Sequence, residues 1–273
     1  MHKTIFITGA SSGIGKSTVE LFSARGWQVA ATMRNPSNDS SLSKLPNVKL
    51  FALDVLNEES INTALAQALQ SFGKIDVLVN NAGYAAVGPF EASTEENIRK
   101  QFDTNVFGLM RVTKAFLPHF RAHKSGTIIN IASVGGQITF PLYSLYHGTK
   151  WAVEGFSESL HFELKSLGIK IKIIEPGAIK TDFYDRSMDF LKKEGLTEYD
   201  DYSNICLQNM NQVSSNAPGP EIVAEKIFQA ATDNLKTLRY AVGSNAPALL
   251  LLRRLLPNSW FFALVRMVVE KKK

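Results

Sequence analysis

Lys3-Thr4-Ile5-Phe6-Ile7-Thr8-Gly9-Ala10-Ser11-Ser12-Gly13-Ile14-Gly15-Lys16 decides the fold: a short apolar run breaks into a turn with three glycines and passes into a helix-like segment. Glycine lets a backbone turn tightly and approach a pyrophosphate, which the unpaired N–H groups and dipole of a helix N-terminus stabilise. The spacing is Gly-x-x-x-Gly-x-Gly, which serves either as a purely structural strand-to-helix junction or as a dinucleotide cradle, and the βαβ context favours the cradle. Its candidate contacts are Gly9, Ser11, Ser12, Gly13, Ile14 and Gly15.

Beyond this turn, short apolar runs alternate with helix-period segments. Strands are expected at residues 3–8, 27–33, 48–53, 75–80, 126–132, 169–175 and 237–242. Ile61, Ala64, Leu65, Ala68, Leu69 and Phe72 form a 3.6-residue stripe between two of them. Ser93-x-x-Glu96 reads as a capping box opening a helix that runs toward Pro118, and helix resumes from about Tyr143 to Leu167, ending before Gly168. The pattern predicts one α/β domain: a doubly wound, mostly parallel seven-stranded sheet with helices on both faces. Residues 183–218 lack strong periodicity and read as a loop or lid, followed by an apolar extension over about 245–273.

The 273 residues are 45% hydrophobic and 20% charged, the balance of a globular chain with a sizeable core. The net charge is +5, but the basic residues are dispersed along the chain and their longest run is Lys271-Lys272-Lys273, which gives nucleic-acid binding little support. Cys206 is the lone cysteine and fits a reducing compartment. No signal-peptide-like region precedes the first strand, so a cytoplasmic location is the expectation. Ala248–Leu252 and Trp260–Val265 are apolar, but Arg253, Arg254, Pro257 and Arg266 interrupt them before the roughly 20 residues a bilayer span requires. Packing onto the domain or self-association explains these runs better than an interfacial membrane anchor. His119 and His123 have helical i,i+4 spacing but no third partner, so no metal is expected.

Two further features carry chemistry. The second strand ends Ala31-Thr32-Met33-Arg34, where a unit that binds NAD usually carries an acid for the ribose 2′-hydroxyl. Arg34 in that place suits a 2′-phosphate, since guanidinium matches phosphate geometry, and NADP(H) is the expected cofactor. Tyr146 stands four residues before Lys150, and none of the other six tyrosines has a lysine at that offset. The pair shares one helix face, where the ammonium favours the phenolate over the phenol's usual pKa of about 10. Taken alone, this spacing more often describes a surface lysine beside an ordinary tyrosine.

Taken together, Thr8-Gly9-x3-Gly13-x-Gly15, Asn80-Asn81-Ala82-Gly83, Asn105, Ser133, Tyr146-x3-Lys150 and Pro176-Gly177 resemble the short-chain dehydrogenase/reductase family in order and distance, over about residues 3 to 181. Ser133-Val134-Gly135-Gly136 through Gly155 is similar to the branch that holds 17β-hydroxysteroid and retinol dehydrogenases. The resemblance implies a Rossmann fold, a homodimer or homotetramer, and an oxidoreductase that interconverts an alcohol and a ketone or aldehyde. It makes Tyr146 the general acid/base and has Ser133 hydrogen-bond the substrate oxygen. Lys150 would hold the ribose and lower the tyrosine pKa, while Asn105 would position a relay water. Asn80, Ala82 and Gly83 would line the cofactor, Asp54 with Val55 the adenine, and Pro176, Gly177, Ile179 and Thr181 the nicotinamide carboxamide.

A small apolar alcohol or carbonyl, steroid-, retinoid- or lipid-like, is the expected substrate. Val134, Gln137, Phe140, Tyr143, Phe183 and Tyr184 are candidates for its wall by position and character, though each equally suits core packing. His147 adjoins Tyr146 but falls on another helix face and is assigned no chemistry. Alternatives are a catalytically silent NADP(H) sensor and a ketoreductase working at a membrane surface.

Overall fold

Strand β1 (Thr4–Ile7) is buried at every position, which a strand covered on both faces requires. The computed structural model describes residues 2–39, 41–181, 188–233 and 235–271. Around β1 lie β2 (Gln28–Met33), β3 (Val48–Ala52), β4 (Val77–Asn80), β6 (Gly126–Ile131), β7 (Ile169–Pro176) and β9 (Arg239–Val242). They form one seven-stranded sheet in the order β3-β2-β1-β4-β6-β7-β9, with every pair parallel. All seven expected strands are present, with ends moved by at most two residues.

The strand period of two sorts side chains between two cores. Ile5, Ile7, Val29, Ala31, Val77 and Val79 face helix α1 (Gly13–Ala24) and helix α7 (Glu221–Thr232). Phe6, Ala30 and Leu78 face α2 (Glu58–Phe72), α4 (Leu109–His123) and α5 (Ser144–Lys165). Phe6 is fully buried and meets Phe116 edge-to-face at 4.8 Å. Truncating such an aromatic costs about 3–5 kcal/mol, more than a local propensity contributes.

Several local expectations shift. The capping box belongs to Thr94 and Asn97, one residue later than expected, and opens α3 (Glu95–Phe102). Asn97 answers the Thr94 N–H there in place of Glu, its amide oxygen serving as the acceptor. A π-helical turn over Asp103–Gly108 then leads into α4, which continues past Pro118 to His123. Phe116 and Phe120 bury the face on either side of the proline and hold the helix through it.

The segment expected to be a loop or lid contains regular structure. Met188–Phe190 (β8) pairs with Ala85–Val87 (β5), and Asp200–Ser215 forms α6 on the fully buried Cys206. Both gain stability from tertiary contacts that short, weakly periodic sequences do not announce. The apolar extension forms a helical pair, α8 (Ala246–Leu255) and α9 (Asn258–Val269), with α9 packed on α6. No helix among the described residues is long and apolar enough to cross a membrane.

Candidate active site

Strand order reverses between β1 and β4, the place where a doubly wound sheet opens a crevice beyond its carboxyl ends. A cavity of about 990 Å³ lies there, and the glycine turn forms one end of it. Gly9 has φ +67° and Gly13 φ +51°, and a Cβ on Gly9 would lie 2.8 Å from the Ala82 Cα. A Cβ on Gly15 would lie 2.2 Å from the Gly9 carbonyl oxygen, so this glycine packs the helix against its own turn and stands outside the cavity wall.

Asn81, to which the motif spacing assigns no role, latches the turn. Its Nδ2 donates to the carbonyls of Thr8 and Gly9, both at 2.9 Å. Thr8 Oγ1 in turn accepts from the N–H groups of Asn81 and Ala82. Helix α1 starts against the cavity with no side-chain cap and no acid in its first turn, which leaves its N–H groups and positive dipole end for an anion. These features fit a dinucleotide pyrophosphate. Arg34, Asp54 and Val55 line the far end, and Arg34 is exposed with no ion pair to any described residue.

Asn80 departs from its expected role. It is buried outside the cavity, donating to Thr113 Oγ1 and Asn130 Oδ1, both at 2.9 Å. Asn130 continues the chain to Ser157, so these amides tie α4, β4, β6 and α5 together where bulk water is absent.

On the opposite wall, Ser133, Tyr146 and Lys150 line the same cavity. Ser133 follows β6, donates to the Pro176 carbonyl at 3.3 Å and accepts from Gly135 N–H at 3.0 Å. Lys150 sits one turn beyond Tyr146 in α5, with Nζ 5.6 Å from the phenol ring centroid and donating to the Ile131 carbonyl at 2.8 Å. Burial lowers the Lys150 pKa to about 8, against the opposing pull of Glu154.

Asn105 lies in the π turn and is buried beside the cavity rather than on its wall. Both its N–H bonds are used, by the Tyr84 carbonyl at 2.9 Å and Thr149 Oγ1 at 3.1 Å, and its oxygen accepts from Tyr84 N–H. A relay water would therefore meet only its remaining oxygen lone pair or the backbone of the turn.

Val134, Phe140 and Tyr143 line the cavity, as do Ala82, Gly83, Pro176, Gly177, Ile179 and Thr181. Gln137 does not: its amide donates to the buried Glu175, which lies beside Glu154 and Arg239 behind the active face. Burial, with the like charge of Glu175 second, holds the Glu154 carboxyl above its usual range, and that buried acid pair recruits the glutamine. Phe183 and Tyr184 lie outside the described residues.

His147 belongs to the site after all. It lines the cavity, and its ring bonds both Gly135 and Phe140. The largest surprise is the remaining wall, which is built by Met210 and Val213 of α6, Leu249 and Leu252 of α8, and Phe261 and Val265 of α9. The apolar C-terminal runs were the signal for the α8 and α9 residues, showing burial without showing against what, whereas Met210 and Val213 lie in the weakly periodic stretch.

The profile of the family described as short chain dehydrogenase matches residues 3–191. An uncharacterized oxidoreductase of Schizosaccharomyces pombe is 44% identical over 231 residues, covering 85% of this chain and 97% of its own. A 3-ketodihydrosphingosine reductase of Bacteroides thetaiotaomicron is 38% identical over 206 residues, covering 76% of this chain and 74% of its own. Among solved structures, a short-chain dehydrogenase from Streptomyces avermitilis superposes with a TM-score of 0.81 at 34% identity, covering 98% of this chain and 94% of its own. ElxO with NADP bound gives 0.73 at 28% identity, with 89% and 97% covered. A Burkholderia phymatum member in complex with NAD gives 0.81 at 25%, with 100% and 98% covered.

Proposed function

The chain belongs to the short-chain dehydrogenase family, whose members are oxidoreductases using a nicotinamide cofactor, and from that membership we propose an NADP(H)-dependent reductase of an apolar, long-chain ketone. The observation that carries this reading is one cavity with Ser133, Tyr146 and Lys150 on one wall, an Arg34 without an ion pair among the described residues at its far end, and apolar side chains of α6, α8 and α9 closing the rest. A bound NADPH supplies a hydride to the carbonyl carbon. The protein's part is to orient two reactants and manage one proton.

Ser133 Oγ–H, now given to the Pro176 carbonyl, turns to the substrate oxygen as negative charge develops. The Tyr146 phenol gives that oxygen its proton, and takes it back in the reverse direction. Lys150 holds the cofactor ribose and its cation steadies the phenolate. Gly9, Ser11, Ser12, Gly13 and Ile14 hold the pyrophosphate; Asp54 and Val55 hold the adenosine; Ala82, Gly83, Pro176, Gly177, Ile179 and Thr181 line the nicotinamide side. Gly15 supports the turn from behind.

Arg34 favours NADP(H) because an exposed guanidinium on the cavity wall would gain a doubly charged phosphate partner. The aliphatic walls, together with the likeness to a reductase of a sphingoid ketone, support a lipid ketone over a small polar one. The test is oxidation of NADPH and of NADH across long-chain 3-ketones, steroids, retinal and short soluble ketones. Faster turnover of long-chain ketones with NADPH, reduced about 100-fold or more by Tyr146→Phe with NADPH still bound, is expected. Cofactor binding without turnover on any carbonyl would instead mark a silent sensor.

A further inference from the structure

Helices α8 and α9 close the substrate side of the cavity, yet they also carry apolar side chains facing away from it. Leu251, Leu255, Trp260 and Met267 are between 56% and 70% exposed and take no part in the cavity wall. Leu252, Leu264 and Val268 do both: they line the cavity and are between 41% and 58% exposed, so the apolar outer surface runs into the cavity rim. In α9 the exposed Trp260, Leu264, Met267 and Val268 follow helical i, i+4, i+7, i+8 spacing, while Phe261, Val265 and Val269 turn inward. Nothing in the described fold covers the outer stripe.

Charge selects the occupant. Residues 244–273 hold six basic residues, Arg253, Arg254, Arg266, Lys271, Lys272 and Lys273, against the single acid Glu270, and so account for the whole chain's formal net charge of +5. The remaining 243 residues are formally neutral. A second copy seated on this face by a two-fold axis would bring like charge against like charge. An anionic bilayer surface satisfies both components, accepting apolar side chains and an interfacial tryptophan into its acyl boundary and basic side chains at its headgroups.

We propose that α8 and α9 dock the protein on an anionic lipid surface, with the cavity rim at Leu252, Leu264 and Val268 facing the bilayer so that an apolar ketone enters from the membrane. This deepens the lipid-ketone reading, but docking is measurable without substrate or cofactor, so each stands or falls separately.

The test is co-sedimentation of the full chain with vesicles of phosphatidylglycerol and phosphatidylcholine, and with vesicles of phosphatidylcholine alone. Binding to the anionic vesicles, weak binding to the neutral ones and release by high salt are expected. Arg254→Gln with Arg266→Gln should weaken partitioning about 30-fold. Leu255→Glu with Trp260→Glu should abolish it, while far-UV circular dichroism and reduction of a short soluble ketone stay as in the parent. Equal sedimentation of parent and glutamate variant, or no binding of the parent, overturns the proposal. So does light scattering that shows an oligomer split by Leu255→Glu and Trp260→Glu without vesicle binding, because the face would then belong to a second copy.

Discussion

Phe140 donates its backbone N–H to Nε2 of His147 at 3.0 Å, which leaves the ring proton on Nδ1, 3.0 Å from the Gly135 carbonyl it serves. The imidazole thus ties together the two ends of the loop that carries Ser133, Val134 and Phe140. Gly135 has no side chain because a Cβ there would lie 2.6 Å from Nδ1. Burial pushes the His147 pKa down to about 4, so the clamp keeps its neutral form at ordinary pH.

Removing the clamp loosens Ser133 without touching the cofactor end. His147→Leu is expected to lower kcat by about 10–100-fold with the NADPH Kd unchanged, since a displacement of about 1 Å costs that much. His147→Gln, which can still donate and accept, should recover part of the loss. Equal kcat in the parent and the leucine variant would show that the loop needs no tie.

The same residue sets a pH dependence of stability. The folded pKa of about 4 lies below the unfolded value of about 6.5. The native state therefore binds fewer protons between them, and stability present above pH 6.5 falls as pH drops toward 4, by about 3 kcal/mol in all. Denaturant midpoints measured across this range should show a shallower slope in His147→Leu than in the parent.

Lys150 is expected to trade stability for function. Its folded pKa, about 8, is depressed from an ordinary 10.5 by burial, so its charge is a burden below pH 8 that lifts as pH rises from 8 to 10.5. Lys150→Met should raise stability at pH 7 by about 1–3 kcal/mol, after the loss of the bond to the Ile131 carbonyl, while removing nearly all turnover. In the parent, kcat/KM follows the free enzyme and should fall above pH 8 as the ammonium loses its proton. A methionine variant less stable than the parent would contradict the burial account.

Arg34 is expected to choose the cofactor. Arg34→Ala should reduce kcat/KM with NADPH by about 10–200-fold and change that with NADH little, which is the loss of one or more charge-assisted contacts worth about 1.5–3 kcal/mol. An unchanged ratio of the two cofactors would remove the assignment to a 2′-phosphate.

Two glycines should respond in opposite directions. Gly15→Ala forces a Cβ into the Gly9 carbonyl and should cost about 1–3 kcal/mol, with weaker NADPH binding. Gly155 lies in α5 with no atom within 4 Å of the place a Cβ would take, and Gly155→Ala should add about 0.5–1 kcal/mol through helix propensity. Thermal unfolding of both variants tests the pair.

The strands and the glycine turn were legible because burial on both faces leaves a local trace, a short apolar run ending in glycine. Ser133, Tyr146 and Lys150 were legible through motif spacing. Asn80 misled because an amide beside the Asn-Ala-Gly turn has the same sequence whether it faces a cofactor or Thr113 and Asn130. Gln137 misled because the acid that captures it, Glu175, is 38 residues away in the chain. Residues 188–215 read as loop because β8 and α6 are held by contacts with β5 and α9 rather than by their own periodicity.

By itself, then, the sequence determined the parallel sheet, the glycine turn after its first strand and the shared helix of Tyr146 and Lys150, each a matter of neighbours within a few residues and of strand or helix period. Tertiary structure alone decided that His147 clamps the serine loop and that the C-terminal helices wall the cavity. Both depend on segments far apart in the chain meeting at the sheet's carboxyl edge, and apolar periodicity records that a face is buried or bound without recording its partner.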